Sequence, residues 1–170
     1  MIYALIHYPS INTRRIQLLR KKYDPQAGLI GPHLTLMFPV PDSVGEDRLV
    51  RHLHDVLRGV GPFPIHLRGF QKSWDGYLFL MVQEGGADMT ALHGRIYTGP
   101  LADYRKQDVP FVPHLTLGAF ADNEHGYAAA LEEAKRLDLD YRSVLDKLHL
   151  VKVNDERTRV VWSKEFSLLS

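Results

Sequence analysis

One pentapeptide occurs twice in this chain. Pro32-His33-Leu34-Thr35-Leu36 returns as Pro113-His114-Leu115-Thr116-Leu117, an offset of 81 residues (114 − 33). A proline followed by strictly alternating polar and apolar side chains predicts a strand at each site, because the residue before proline is held extended and strand side chains alternate between faces. His33 and Thr35 then share one face, roughly 7 Å apart, and Leu34 and Leu36 share the other. The same holds for His114 and Thr116. Each strand can bury its leucines while its polar pair looks outward. The chain must therefore fold so that two equivalent strands each keep one face covered and one face open.

The rest of the sequence extends the repeat. Residues 2–8 predict a buried strand, and Ser10 can cap a helix starting near Ile11 that ends in Arg20-Lys21-Lys22 before Asp24-Pro25. Residues 28–32 predict a loop leading into the strand His33 to Phe38, and Leu49, Leu53, Val56 and Leu57 mark a helix over Glu46 to Arg58. Strands are expected at Ile65 to Phe70 and Tyr77 to Gln83. Helical spacing then covers Met89 to Tyr97, residues 98–110 predict a loop, and His114 to Phe120 predict a strand. A helix over Tyr127 to Leu137 and strands at Lys147 to Val153 and Val160 to Phe166 complete the chain, with a polar turn at Asn154 to Thr158. Strand, helix, strand, helix, strand is thus given twice in order. Ile65-His66-Leu67 and Leu148-His149-Leu150 match at an offset of 83 (149 − 66), which supports an internal duplication. Two similar lobes meeting at a cleft would set the two histidine strands opposite each other. With no linker in sight, residues 1–170 are expected to form one domain of two repeated lobes sharing one cleft.

Composition narrows the chemistry. The 170 residues contain no cysteine, so disulfides, thiolate metal sites and a cysteine nucleophile are excluded. No apolar run approaches a membrane span, and residues 1–9 lack the basic start and length of a signal peptide, so a cytoplasmic protein without a membrane partner is expected. The net charge of +1 argues against a generally basic nucleic-acid binder. A nucleotide substrate would be held by a local site.

Two imidazoles and two hydroxyls in one cleft suit phosphodiester cleavage. Attack on phosphorus needs a base for the nucleophile and an acid for the leaving oxygen. Histidine serves both roles near neutral pH, without a metal or other cofactor. The threonine hydroxyls can donate hydrogen bonds to the non-bridging phosphoryl oxygens as charge accumulates on them. A single His-x-Thr would be weak evidence, since about 0.3 matches are expected by chance at this composition. Two copies of the whole pentapeptide carry far more weight.

Paired H-x-T motifs on pseudo-symmetric strands resemble the 2H phosphoesterase superfamily, which includes 2′-5′ RNA ligase-like proteins and cyclic nucleotide phosphodiesterases. The segments Arg20 to Pro25, Leu29 to His33, Leu92 to Gly99, Phe111 to His114 and His149 to Phe166 are similar to a short bacterial phosphoesterase branch of that group. The resemblance implies an α+β fold, with two lobes of antiparallel sheet and outer helices around a central cleft. It implies His33 as proton donor, His114 as proton acceptor, Thr35 and Thr116 as motif threonines, and no metal. The expected activity is hydrolysis of cyclic phosphodiesters, with 2′,3′-cyclic nucleotides or RNA ends as the leading partners. The rival readings are 2′-5′ RNA ligation on the same fold and a non-catalytic nucleotide- or RNA-binding module. One departure stands out. RNA ligase-like members carry a tryptophan segment before the first motif and an arginine soon after it; this chain has Ala27 to Gly31 and Met37 there.

Other residues are candidates of a second rank. Arg20, Lys21 and Lys22 could meet a phosphate tail, although such a run is more commonly a solvated helix end. Arg95, Tyr97, Tyr104, Arg105 and Lys106 precede the second motif, where a base could stack on a tyrosine. Tyr97, Arg105 and Lys22 are the expected substrate contacts from these two groups. His66 and His149 fall at matching strand positions, where a structural role is the commoner one. His52 and His54 face different ways on a helix, so no metal pair is expected from them. His7, His93 and His125 read as structural or surface residues.

Overall fold

The computed structural model describes residues 1–169. Among the described residues, eight strands form one antiparallel sheet: β1 (Ile2–His7), β2 (Leu34–Pro41), β3 (Phe63–Lys72), β4 (Tyr77–Val82), β5 (His114–Ala119), β6 (Asp140–Leu145), β7 (Lys147–Val153) and β8 (Val160–Ser167). Four helices accompany them: α1 (Arg14–Tyr23), α2 (Glu46–Leu57), α3 (Gly86–Ile96) and α4 (Glu124–Arg136). The spatial order is β6-β3-β4-β5-β2-β1-β7-β8, so the two motif strands are the central neighbours. The fold is α+β, and the sheet curls into a half-barrel.

The two lobes are not the two halves of the chain. The middle of the chain supplies β3, β4, β5 and β6, on one side of the β5–β2 seam. The first and last segments supply β1, β2, β7 and β8, on the other. The internal likeness was therefore legible, but the simple order of two successive copies was not. β6 was also missed, because in Asp140-Tyr141-Arg142-Ser143-Val144-Leu145 only Leu145 is buried. It is an edge strand without an apolar stripe.

Alternation builds the core. Leu34 and Leu36 on β2, Leu115 and Leu117 on β5, Leu78 and Leu80 on β4, and Leu148 and Leu150 on β7 are all buried in one cluster. Ile16 and Leu19 of α1, Leu49 and Leu53 of α2, Met89 and Leu92 of α3, and Ala130 and Ala134 of α4 meet them there. Each buried leucine contributes roughly 1.5–3 kcal/mol through surface removed from water. One face of the sheet is thus spent on the helices, and His33, Thr35, His114 and Thr116 are left on the other, each only partly buried.

The helices straddle the seam. α1 packs on β5 and α3 on β2, so each lobe's motif strand is backed by a helix attached to the other lobe. Gly118 permits the first of these approaches. A Cβ there would stand 2.8 Å from Tyr23 Cβ on α1 and 2.8 Å from the Phe120 ring.

α1 starts at Arg14 and not near Ile11. Asn12 Oδ1 accepts the Arg14 amide at 3.1 Å, and Ile11 N–H turns back to Pro9 O. Ser10 is therefore not the cap. α4 starts at Glu124, where the Asn123 side chain accepts the Gly126 amide. Within the expected loop over residues 98–110, Gly99–Tyr104 form a short 3-10 turn.

Candidate active site

β2 and β5 pair antiparallel through Leu34 and Leu115. Carried one step either way, that register sets His33 across from Thr116 and Thr35 across from His114. Directly opposed Cβ atoms lie about 4.5–5.5 Å apart, and diagonal neighbours about 7–8 Å. The four motif side chains thus make a rectangle, with the histidines on one diagonal and the threonines on the other. The two rings sense each other, since the charge of His33 helps hold down the pKa of His114.

Both rings are turned by the same local device. His33 Nδ1 lies 2.8 Å from Gly31 O, and His114 Nδ1 lies 2.5 Å from Val112 O. A carbonyl only accepts, so in each neutral ring Nδ1 carries the proton and Nε2 carries the free lone pair. The proline between each histidine and its carbonyl has no N–H to compete for that acceptor. Sequence pointed to the histidines but not to the nitrogen each would use; the backbone two residues back decides it.

Burial lowers the pKa of both imidazoles, and that of His114 falls to about 4. The bond to the preceding carbonyl opposes the shift in both. At pH 7 the free protein therefore presents two neutral rings with basic Nε2 atoms.

The surroundings of the two rings differ. His114 stacks on Phe79, with centroids 3.5 Å apart and 16° between planes. Phe79 reaches it from β4, where it pairs with Thr116. Behind His33 stands a charged pair, Arg20 and Asp24, joined at 3.0 Å with side chains 1% and 6% exposed. Neither Phe79 nor this pair was singled out as a neighbour of the motifs by sequence, because each contact is made across strands or across a loop.

The three expected substrate contacts, Tyr97, Lys22 and Arg105, have neighbours outside the motifs. Tyr97 is buried, and its hydroxyl accepts the Phe38 amide at 2.9 Å. Packing and that bond occupy the side chain as a structural tyrosine. Lys22 pairs with Glu133 of α4 at 3.1 Å and lines a hollow of about 360 Å³ with Leu18, Arg136 and Leu137, none of them a motif residue. Arg105 is exposed; burial lowers the pKa of His93 on α3, and the Arg105 charge adds to that. His93 itself bonds Leu36 O at 2.8 Å and stacks on Phe111.

His66 and His149 do occupy matching strands, β3 and β7, on the face away from the helices. Each meets a carboxylate from the edge strand beside it: His66 to Asp140 at 2.6 Å, His149 to Glu165 at 3.4 Å. His52 bonds Ile96 O, and His54 lies against the Phe166 ring. Among the described residues, no group of three or more His, Asp or Glu side chains is arranged to hold a metal ion, and no helix is long and apolar enough to cross a membrane.

Comparison with known proteins places this architecture. A protein of Bacillus licheniformis named "Putative phosphoesterase" is 32% identical over 168 residues, covering 95% of this chain and 96% of its own. A Bacillus cereus relative of the same name is 31% identical over 137 residues, covering 78% and 77%. Among solved structures, E. coli LigT in its apo form superposes with a TM-score of 0.59 at 16% identity, over 99% of this chain and 98% of that one. E. coli LigT complexed with 3′-AMP gives 0.57 at 13% identity, over 99% and 97%. These structures share the fold. The sequence model of the 2′-5′ RNA ligase superfamily matches residues 8–157, which include both motifs, and the chain belongs to that superfamily.

Proposed function

We propose that this protein is a phosphoesterase that hydrolyses cyclic phosphodiesters, such as 2′,3′-cyclic nucleotides or cyclic RNA ends, by two-histidine general acid–base catalysis without a metal. The observation that carries this reading is the matched pair of Nε2 atoms. Two imidazoles, fixed in the same tautomer by the same backbone device, stand diagonally across one seam with a threonine opposite each. The names of the Bacillus relatives support phosphoester chemistry. The E. coli LigT structures complexed with ATP and with 3′-AMP support a nucleotide as ligand class.

The anionic phosphodiester settles between the rings and favours protonation of one of them, offsetting the effect of burial. His114 Nε2 takes a proton from water as the water oxygen bonds to phosphorus. The bond from phosphorus to one ribose oxygen breaks, and that oxygen takes the proton from His33 Nε2. Thr35 and Thr116 donate hydrogen bonds to the non-bridging oxygens, where they act most strongly on the transition state. Proton exchange with water restores the starting forms. His33 as acid and His114 as base follow the superfamily's order of motifs.

The test is turnover of a panel of 2′,3′-cyclic nucleotides with and without EDTA. Activity that survives EDTA and disappears in His114→Ala is the expected result. Complete loss with EDTA, or full activity in His114→Ala, overturns the mechanism. Because the superfamily is described by 2′-5′ RNA ligation, joining of tRNA halves is assayed beside hydrolysis. Tight nucleotide binding with no turnover of any substrate would instead mark a binding module.

A further inference from the structure

Arg20 is an unusual residue to find buried. It lies in the last turn of α1, next to the exposed Lys21 and Lys22, yet it is 1% exposed. Its guanidinium donates three hydrogen bonds: Nε to Asp24 Oδ2 at 3.0 Å, Nη1 to Gln17 Oε1 at 2.8 Å, and Nη2 to Ile30 O at 2.9 Å. The remaining Asp24 oxygen, Oδ1, accepts the Gln26 amide at 2.9 Å. The pair therefore grips the segment from Asp24 to Ile30 at its start, its first turn and its end. The next residue, Gly31, supplies the carbonyl that turns His33.

A buried ion pair is a poor way to gain stability, because desolvation of both ions offsets most of their attraction. Apolar side chains of similar volume would fill the same space at less cost. What the pair supplies and an apolar filling does not is directional anchoring of a loop that has no regular secondary structure. Among the described residues the second motif has no such pair; its ring stacks on Phe79.

We propose that Arg20 and Asp24 are positioning residues for His33, a clamp that fixes the Ile30–Gly31 backbone and thereby the ring and its tautomer. This rests on the reading of His33 as the proton donor. The charged groups facing His33 are Arg20, which disfavours its protonation, and Asp24, which favours it; His114 faces it across the seam.

The experiment combines kinetics with NMR of the histidine rings in Arg20→Gln, Arg20→Lys and Asp24→Asn. For a clamp, kcat for a 2′,3′-cyclic nucleotide falls at least tenfold in Arg20→Gln with KM little changed, and Arg20→Lys does not restore it, since an ammonium cannot make the three-way fork. The His33 titration moves up in Arg20→Gln and down in Asp24→Asn, while that of His114 stays within a few tenths of a unit. Opposite movements of one ring are not the signature of general loosening. If both variants stay folded and leave the His33 tautomer and titration unchanged, or shift both histidines alike, the clamp is overturned. Should Arg20→Gln not fold, Asp24→Asn and Arg20→Lys decide by the same NMR criteria. The NMR result stands whether or not the protein turns over cyclic phosphates, so failure of the clamp is separable from failure of the proposed function.

Discussion

The His33 and His114 segments share five residues in a row, and a carbonyl two residues back turns each ring the same way. Behind the rings the likeness ends. One leans on a buried charged pair from α1, the other on the flat face of Phe79. Duplicated sequence thus reproduces local geometry faithfully, because that geometry depends on the backbone within two residues. It does not reproduce the electrostatic setting, which comes from neighbours far along the chain. An acid and a base must differ, and in the proposed mechanism the difference resides outside the repeated residues.

The largest expected effects test whether the two segments act as one unit. His33→Ala and His114→Ala should each lower kcat by about 10²–10⁴, and the double variant should fall little further, because an acid without its base is of scant use. Additive losses measured by steady-state kinetics would mean that the rings act independently.

Removing one hydroxyl should cost less. Thr35→Val or Thr116→Val is expected to reduce kcat by about 10²-fold, as when one donor to a developing negative charge is lost. Unequal losses would show which threonine meets the oxygen carrying more charge.

The third prediction concerns pH. The folded His114 titrates at about 4 against an ordinary value of 6.5. Between those values the unfolded chain binds the proton and the folded one does not. Stability is therefore fully kept above pH 6.5 and falls as pH drops toward 4, by on the order of 3 kcal/mol for this ring. Denaturation midpoints followed over that range should slope less in His114→Gln than in the wild type.

Phe79→Ala sharpens the contrast on a smaller scale. Uncovering His114 should raise its pKa and carry the acid limb of kcat/KM upward in pH, with the His33 limb unmoved. The smallest effect is expected at Lys22→Ala. It breaks a surface pair with Glu133 worth about 0.2–1 kcal/mol, and kcat/KM for a cyclic nucleotide should change less than twofold.

Legibility in the sequence followed the reach of each interaction. The motif strands and their faces were readable because a period of two is written into five residues. α2 was readable from Leu49, Leu53 and Leu57, which the structure buries. The start of α1 was not, since Ser10 is a good cap type, yet the helix begins at Arg14 behind Thr13 with no side-chain cap, and Ile11 N–H turns back to Pro9 O. β6 escaped because an edge strand with only one of its six residues fully buried carries too weak an apolar pattern. Arg20 was read with Lys21 and Lys22 as one basic run, although it is buried and they are exposed. Adjacent residues on a helix point about 100° apart, and composition alone does not say which of three cations turns inward.

The seam between β2 and β5 also has a mechanical meaning. The two lobes each hold their strands through long ladders, but among the described residues the sheet is paired across the seam at a single position, Leu34 with Leu115. A sheet fastened so briefly at its centre is softest to bending along that line. α1 and α3 brace it from one side only. Small rocking of one lobe against the other would then change the gap between the two Nε2 atoms without breaking a ladder, so that in the proposed mechanism the jaw for the phosphate and its hinge are the same few residues.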